Sequence, residues 1–124
     1  MAGPSKSILV VEDDEAVRTL VSRQLATEYT VYQAADGQSA LNVLGTIKPP
    51  DLILCDVMMP GMTGIQLAKR LKSVEAYKHI PIIFLTAKTG ALDVIEGINA
   101  GARHYITKPF NMKELLEKVA KAIK

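Results

Sequence analysis

The 124-residue chain has no tryptophan, one cysteine and only 5% aromatic residues, and each shortage closes off a class of function. A lone thiol, Cys55, can make no internal disulfide and no multi-cysteine metal site, which agrees with a reducing compartment. Within an apolar strand its sulfur is expected to fill the core. The few aromatics leave no platform for stacked nucleobases. Fifteen Lys plus Arg against thirteen Asp plus Glu, a net charge of +2, are scattered, so no direct nucleic-acid binding is expected. The lysines near the end (Lys113, Lys118, Lys121, Lys124) read as a solvated face. No apolar run approaches the roughly 20 residues of a membrane helix, and the opening "MAGPSKS" is too short and polar for a signal peptide. The expected location is cytoplasmic, with no membrane partner. No repeat, low-complexity tract or linker interrupts the chain, so a single domain over 1–124 is expected, with 1–6 disordered.

What is present is a core of ordinary size, 48% hydrophobic with 23% charged residues. Short apolar runs alternate with stretches of helical periodicity in five pairs. The strands are expected at Ser7 to Val11, Thr30 to Ala34, Asp51 to Cys55, Ile82 to Thr86 and Arg103 to Thr107. The helices are expected at Glu15 to Thr27, Gln38 to Gly45, Gly64 to Ser73, Leu92 to Ala100 and Met112 to Ile123. Asn111 followed by Glu114 reads as an N-cap with its capping-box partner, and Asp14 is a candidate cap for the first helix. Alternation of this kind predicts an α/β fold with right-handed crossovers and a doubly wound parallel sheet of five strands and five helices. Both faces are then covered, which is why "ILVV" and "LILC" are apolar without alternation.

In such sheets the chemistry gathers at the carboxyl ends of the strands. The first strand runs into Glu12, Asp13 and Asp14, the third into Asp56, the fourth into Thr86 and the fifth into Lys108 and Pro109. Two carboxylates about 4 Å apart repel by roughly 4 kcal/mol at an effective dielectric near 20, so something positive must compensate. Lys108 supplies one charge, its direction set by Pro109 in a turn or a cis bond. The remaining carboxylates suit a hard divalent cation, since Mg²⁺ takes one or two protein carboxylates together with waters and phosphate oxygens.

Four segments, "ILVVEDD", "LILCDVMMPGMTG", "IIFLTAK" and "GARHYITKPF", in this order and at these spacings resemble the receiver domain of two-component response regulators, of the chemotaxis-regulator type. The resemblance spans nearly the whole chain. It implies a flavodoxin-like strand order 2-1-3-4-5 and a phosphoacceptor at Asp56, which takes a phosphoryl group from a histidine kinase or histidine phosphotransfer protein in a phosphorelay. It assigns Glu12, Asp13, Asp56 and the backbone oxygen of Met58 to Mg²⁺ (or Mn²⁺), with Glu12 acting through water. Thr86 and Lys108 become partners of the phosphoryl oxygens, and Tyr105 becomes the switch aromatic that turns inward with Thr86. The face made by the fourth helix, fifth strand and fifth helix, about residues 88 to 124, is then where a downstream protein, an output domain or a second copy binds. Such a protein helps catalyse its own modification and loses the phosphoryl group again, without turning over a free substrate.

This chain departs from the family pattern at two places. Thr63 stands where an acid is usual before the second glycine of the loop, and His104 where an acid often precedes the switch aromatic. His79 and His104 are expected to be exposed structural histidines. Met58 and Lys88, two residues past the phosphoacceptor and the threonine, are expected to restrict water and lengthen the phosphoryl state. Two alternatives stand beside the switch: a receiver-shaped interaction module that is never phosphorylated, and a phosphatase with an aspartyl nucleophile. The second needs an acid two residues after the nucleophile, and that position is Met58.

Overall fold

The computed structural model describes residues 6–86 and 102–123. The expected helix Leu92 to Ala100, and residues 1–5 of the start expected to be disordered, lie outside them. Lys6 is not loose: its carbonyl accepts the Thr30 N–H at 2.9 Å, which ties it to the sheet.

Five strands, β1 (Ser7–Val11), β2 (Thr30–Ala34), β3 (Leu52–Asp56), β4 (Ile82–Thr86) and β5 (Ala102–Thr107), form one sheet in the order β2-β1-β3-β4-β5. Every pairing is parallel. The register sets Val11 beside Cys55, Asp56 beside Leu85 and Phe84 beside Tyr105. A bulge shifts the β4–β5 register between Ile82 and Ile83. Because side chains alternate along a strand, each run supplies two cores. Leu9, Val11, Ile53, Cys55 and Phe84 pack on one side with Ala40, Leu44, Leu67 and Leu71. Ile8, Val10, Leu54, Ile83 and Ile106 pack on the other with Val21, Leu25, Leu115 and Val119. Both faces are covered, which is what continuous apolar strands require.

The helices are α1 (Glu15–Leu25), α2 (Gly37–Leu44), α3 (Gly64–Lys72) and a C-terminal helix (Met112–Ile123). Asp14 caps α1, its Oδ1 accepting the N–H groups of Ala16 and Val17, and Asn111 accepts the Glu114 N–H at 2.7 Å. The expected ends at Thr27 and Ser73 overshoot. Both residues fold their hydroxyl back onto a carbonyl three positions earlier, Thr27 onto Gln24 at 2.9 Å and Ser73 onto Arg70 at 2.6 Å, and so close the last turn instead of extending it. The stretch expected as Gln38 to Gly45 begins at Gly37 and ends at Leu44. The third strand starts at Leu52 and takes in Asp56, which pairs with Leu85, while Asp51 accepts the Ser7 N–H on its carboxylate and donates its own N–H to the Ser7 carbonyl, both at 2.8 Å.

The lysines of the C-terminal helix are not all solvated. Lys118 is half-buried and donates to the carbonyl oxygen of Tyr105 at 2.9 Å, while Glu114 lies 3.6 Å from its ammonium. Among the described residues no helix is long and apolar enough to cross a membrane.

Candidate functional site

All five strands point the same way, so their carboxyl ends share one edge, and the acids that follow β1 and end β3 meet there. Glu12 continues the ladder by donating its N–H to the Ala34 carbonyl at 3.0 Å, and its side chain is only 1% exposed. A charge buried that deeply requires a partner. Lys108 Nζ lies 2.8 Å from Glu12 Oε1, and Glu12 Oε2 accepts the Asp14 N–H at 3.1 Å. The Lys108–Pro109 bond is cis. Asp13, next in the chain, is exposed.

Asp56 is 5% exposed. Its Oδ1 accepts the Met58 N–H at 3.3 Å and its Oδ2 lies 3.5 Å from Lys108 Nζ. Behind it, packing sets the backbone. Val57 donates its N–H to Leu85 and accepts that of Gly64, both at 2.9 Å. A methyl group built on Gly64 would overlap the Asp56 carbonyl and come within 3.1 Å of Cys55 Sγ, so α3 can start this close to β3 only on a glycine. Gly61 takes a positive φ of 76° in the turn, and Thr63 and Gln66 close a reciprocal capping box.

One ligand oxygen from each of Glu12, Asp13 and Asp56 falls within 4.8 Å of the others. The mutual effect of these groups is large. Burial and then the charge of Glu12 push the Asp56 carboxyl up to about 7, against the pull of Lys108. For Asp13, burial acts upward, but hydrogen bonds with Asp56 and Glu12 outweigh it and hold the carboxyl below its ordinary value. Burial opposes the charge of Lys108, yet its bond to Glu12 and the field of Asp56 win, and its pKa rises. Cys55 is buried and its thiol is pushed up, so it remains a core sulfur. The pocket thus holds more negative charge than Lys108 balances. Its hard-oxygen donor set fits a small divalent cation.

The other expected site residues fall out unevenly. Thr86 ends β4 beside Thr107, and the hydroxyl expected of it lies outside the described residues, as do Lys88 and the side chain of His104. Tyr105 is half-buried against the first core, its ring 5.8 Å from that of Phe84 and tilted by 42°. Met58 is 67% exposed while its neighbour Met59 is buried. His79 is exposed.

Sequence reasoning missed Arg18, which donates Nη1 to the Glu12 carbonyl at 2.8 Å, and Lys118 on the Tyr105 carbonyl. Thr63, expected to alter the capping of the loop, carries the Thr-x-x-Gln signal of the capping box it closes with Gln66.

The family model for the response regulator receiver domain matches residues 8–120. The phosphate regulon transcriptional regulatory protein PhoB of Pseudomonas aeruginosa is 40% identical over 116 residues, covering 92% of this chain and 50% of PhoB. The response regulator PleD of Caulobacter vibrioides is 42% identical over 116 residues, 93% of this chain and 25% of PleD. The chain therefore spans a half or less of these curated relatives. The chemotaxis protein CheY4 of Vibrio cholerae superposes with a TM-score of 0.90 at 35% identity, covering 95% of this chain and 98% of that one. The sheet order agrees with these matches, and the chain belongs to the response regulator receiver domain family.

Proposed function

We propose that Asp56 is the phosphoacceptor of this receiver and that the edge around it is built to take a phosphoryl group from a phosphohistidine donor. One observation carries the reading: a carboxylate 5% exposed at a strand end, 3.5 Å from an ammonium and within 4.8 Å of two further acids. An oxygen of Asp56 attacks phosphorus, the P–N bond breaks, and the imidazole leaves with the electron pair. The product is an acyl phosphate on Asp56. For this reaction the protein supplies position and charge compensation more than covalent chemistry. Lys108 already lies between Glu12 and Asp56, so a small movement of its ammonium brings it onto a phosphoryl oxygen. The Thr86 hydroxyl is assigned to another.

Asp13, Asp56 and the backbone oxygen of Met58 would hold Mg²⁺ (or Mn²⁺) directly and Glu12 would hold it through water. Bound there, the ion neutralises the acids and the equatorial phosphoryl oxygens. Phosphorylation adds about −1.5 to −2 of charge at this edge. Tyr105, packed on Phe84 in the edge strand, is assigned as the aromatic that reports the change to the face of the fifth strand and C-terminal helix. That face is assigned to a downstream protein, an output domain or a second copy, in the cytoplasm, with 1–124 acting as one domain. A histidine kinase or histidine phosphotransfer protein is the donor. The protein is a switch with an autocatalytic site and not a turnover enzyme.

Acetyl phosphate with Mg²⁺ tests this directly. A mass gain of one phosphoryl group, lost in Asp56→Asn, is expected. Continuous phosphate release from assorted monoesters would replace the reading with a phosphatase, and neither result would leave an unphosphorylated interaction module.

A further inference from the structure

Beyond the Lys108 contact and the Asp14 cap, the three acids after β1 sit on a turn fastened at four points. The Glu12 N–H reaches Ala34, the Asp14 N–H reaches Glu12 Oε2, and the Arg18 N–H reaches the Asp14 carbonyl at 2.9 Å. The fourth bond runs from Arg18 Nη1 to the Glu12 carbonyl at 2.8 Å. Arg18 is half-buried one turn into α1, so its guanidinium folds back over the start of its own helix. Of the three pocket acids, Glu12 and Asp56 are held by burial, and Asp13 is not. Beyond its hydrogen bonds with Asp56 and Glu12, the direction of the Asp13 side chain depends on the plane of the peptide that joins it to Glu12, and the oxygen of that peptide is the atom Arg18 holds.

We infer that Arg18 is a positioning residue for the cation pocket, aiming the Asp13 carboxylate at Asp56 by fixing the Glu12 carbonyl. The inference rests on the reading of Glu12, Asp13 and Asp56 as a cation site. Two effects of removing Arg18 oppose each other in sign. Loss of a positive charge from the turn that carries the acids strengthens cation binding by Coulomb attraction. Loss of aim weakens it. A fixed planar donor also differs from a point charge, so Lys at this position restores the charge and one donor without the fork.

The test is a Mg²⁺ titration of the unphosphorylated protein followed by NMR amide shifts, with the unfolding midpoint recorded beside it. Arg18→Met is expected to bind Mg²⁺ about tenfold more weakly, a change of about 1.4 kcal/mol, and Arg18→Lys to recover most of that loss. Arg18→Gln, whose shorter head falls short of the Glu12 oxygen, carries the same expectation if the Met variant does not fold. Unchanged or tighter Mg²⁺ binding in the neutral variants overturns the inference, even with a lowered midpoint, because a purely structural arginine moves stability and not affinity. Absence of saturable Mg²⁺ binding in the wild type overturns the cation reading itself, and the inference with it.

Discussion

The turn after β1 and the turn after β3 both carry an acid out of a buried strand, yet they are fastened by different chemistry. The first is held largely by charged groups: Glu12 to Lys108 and to the Asp14 N–H, Asp14 to its helix, and Arg18 to Glu12. The turn after β2 follows it, with Asp36 accepting the Ser39 N–H at 2.7 Å. Apart from the Met58 N–H on Asp56 Oδ1, the turn after β3 uses neutral parts, namely Gly64 against the Asp56 backbone, Val57 between Leu85 and Gly64, and the Thr63–Gln66 capping box. The carboxylate proposed to change its charge therefore stands on scaffolding that does not depend on charge. Its neighbours, which must answer that change, are held by the charges themselves.

Breaking the neutral side should have the largest effect. Gly64→Ala forces a methyl group onto the Asp56 carbonyl, where backbone and not a flexible side chain must yield. Overpacking of this kind costs about 1–3 kcal/mol and more where nothing can relax. Chemical denaturation should show a loss of about 3 kcal/mol, together with loss of phosphoryl incorporation from acetyl phosphate. A variant of wild-type stability that still incorporates phosphate would show that the close approach of α3 does not matter.

The charged side is probed next by Asp56→Asn in the metal-free protein. Burial and Glu12 raise the carboxyl from 3.8 to about 7 in the folded state. A raised folded pKa contributes stability that is full below about pH 4 and is lost as pH climbs through about 7. Asn never ionises. At pH 8 with chelator the variant should be more stable than wild type by about 2 kcal/mol, taking each unit as about 1.4 kcal/mol and discounting for partial solvation. The gap should close towards pH 4 and shrink when Mg²⁺ is added. A difference independent of pH would mean that the pocket does not penalise the ionised acid.

The same division explains what could be read in advance. β1, β2 and β4 are legible to the residue because "SILVV" runs into Glu12, "TVYQA" stops shortly before Asp36 and Gly37, and "IIFLT" follows Pro81. Their order is not, since alternation implies parallel strands without ranking them, and it came only with the resemblance. Glu12, Asp13, Asp56 and Lys108 are legible because the strand pattern ends where they stand, and the fold brings those ends together. Arg18 and Lys118 leave no trace, because one side chain meeting one backbone carbonyl has no spacing or composition of its own. Met58 and Met59, identical in type, part company only through the path of the turn, one exposed and one buried.

The smallest effect separates two caps. Thr63 fastens α3 with a hydroxyl, and Thr63→Ala should cost about 1 kcal/mol, the same at pH 6 as at pH 3, because neither the hydroxyl nor the amide it bonds ionises there. Asp36 fastens α2 with a carboxylate, which hydrogen bonds from the Ser39 backbone N–H and then its hydroxyl hold below its ordinary pKa. A depressed folded pKa contributes stability that is present above the unfolded value and is lost as pH falls through the folded one. The cost of Asp36→Ala should accordingly shrink from pH 6 to pH 3, and added salt should reduce its charged part at pH 6. Parallel urea titrations of the two variants read this as one ratio, the Asp36 cost over the Thr63 cost. That ratio must fall with pH if charge holds one turn and neutral hydrogen bonds the other, and a constant ratio would show that both caps work as simple acceptors.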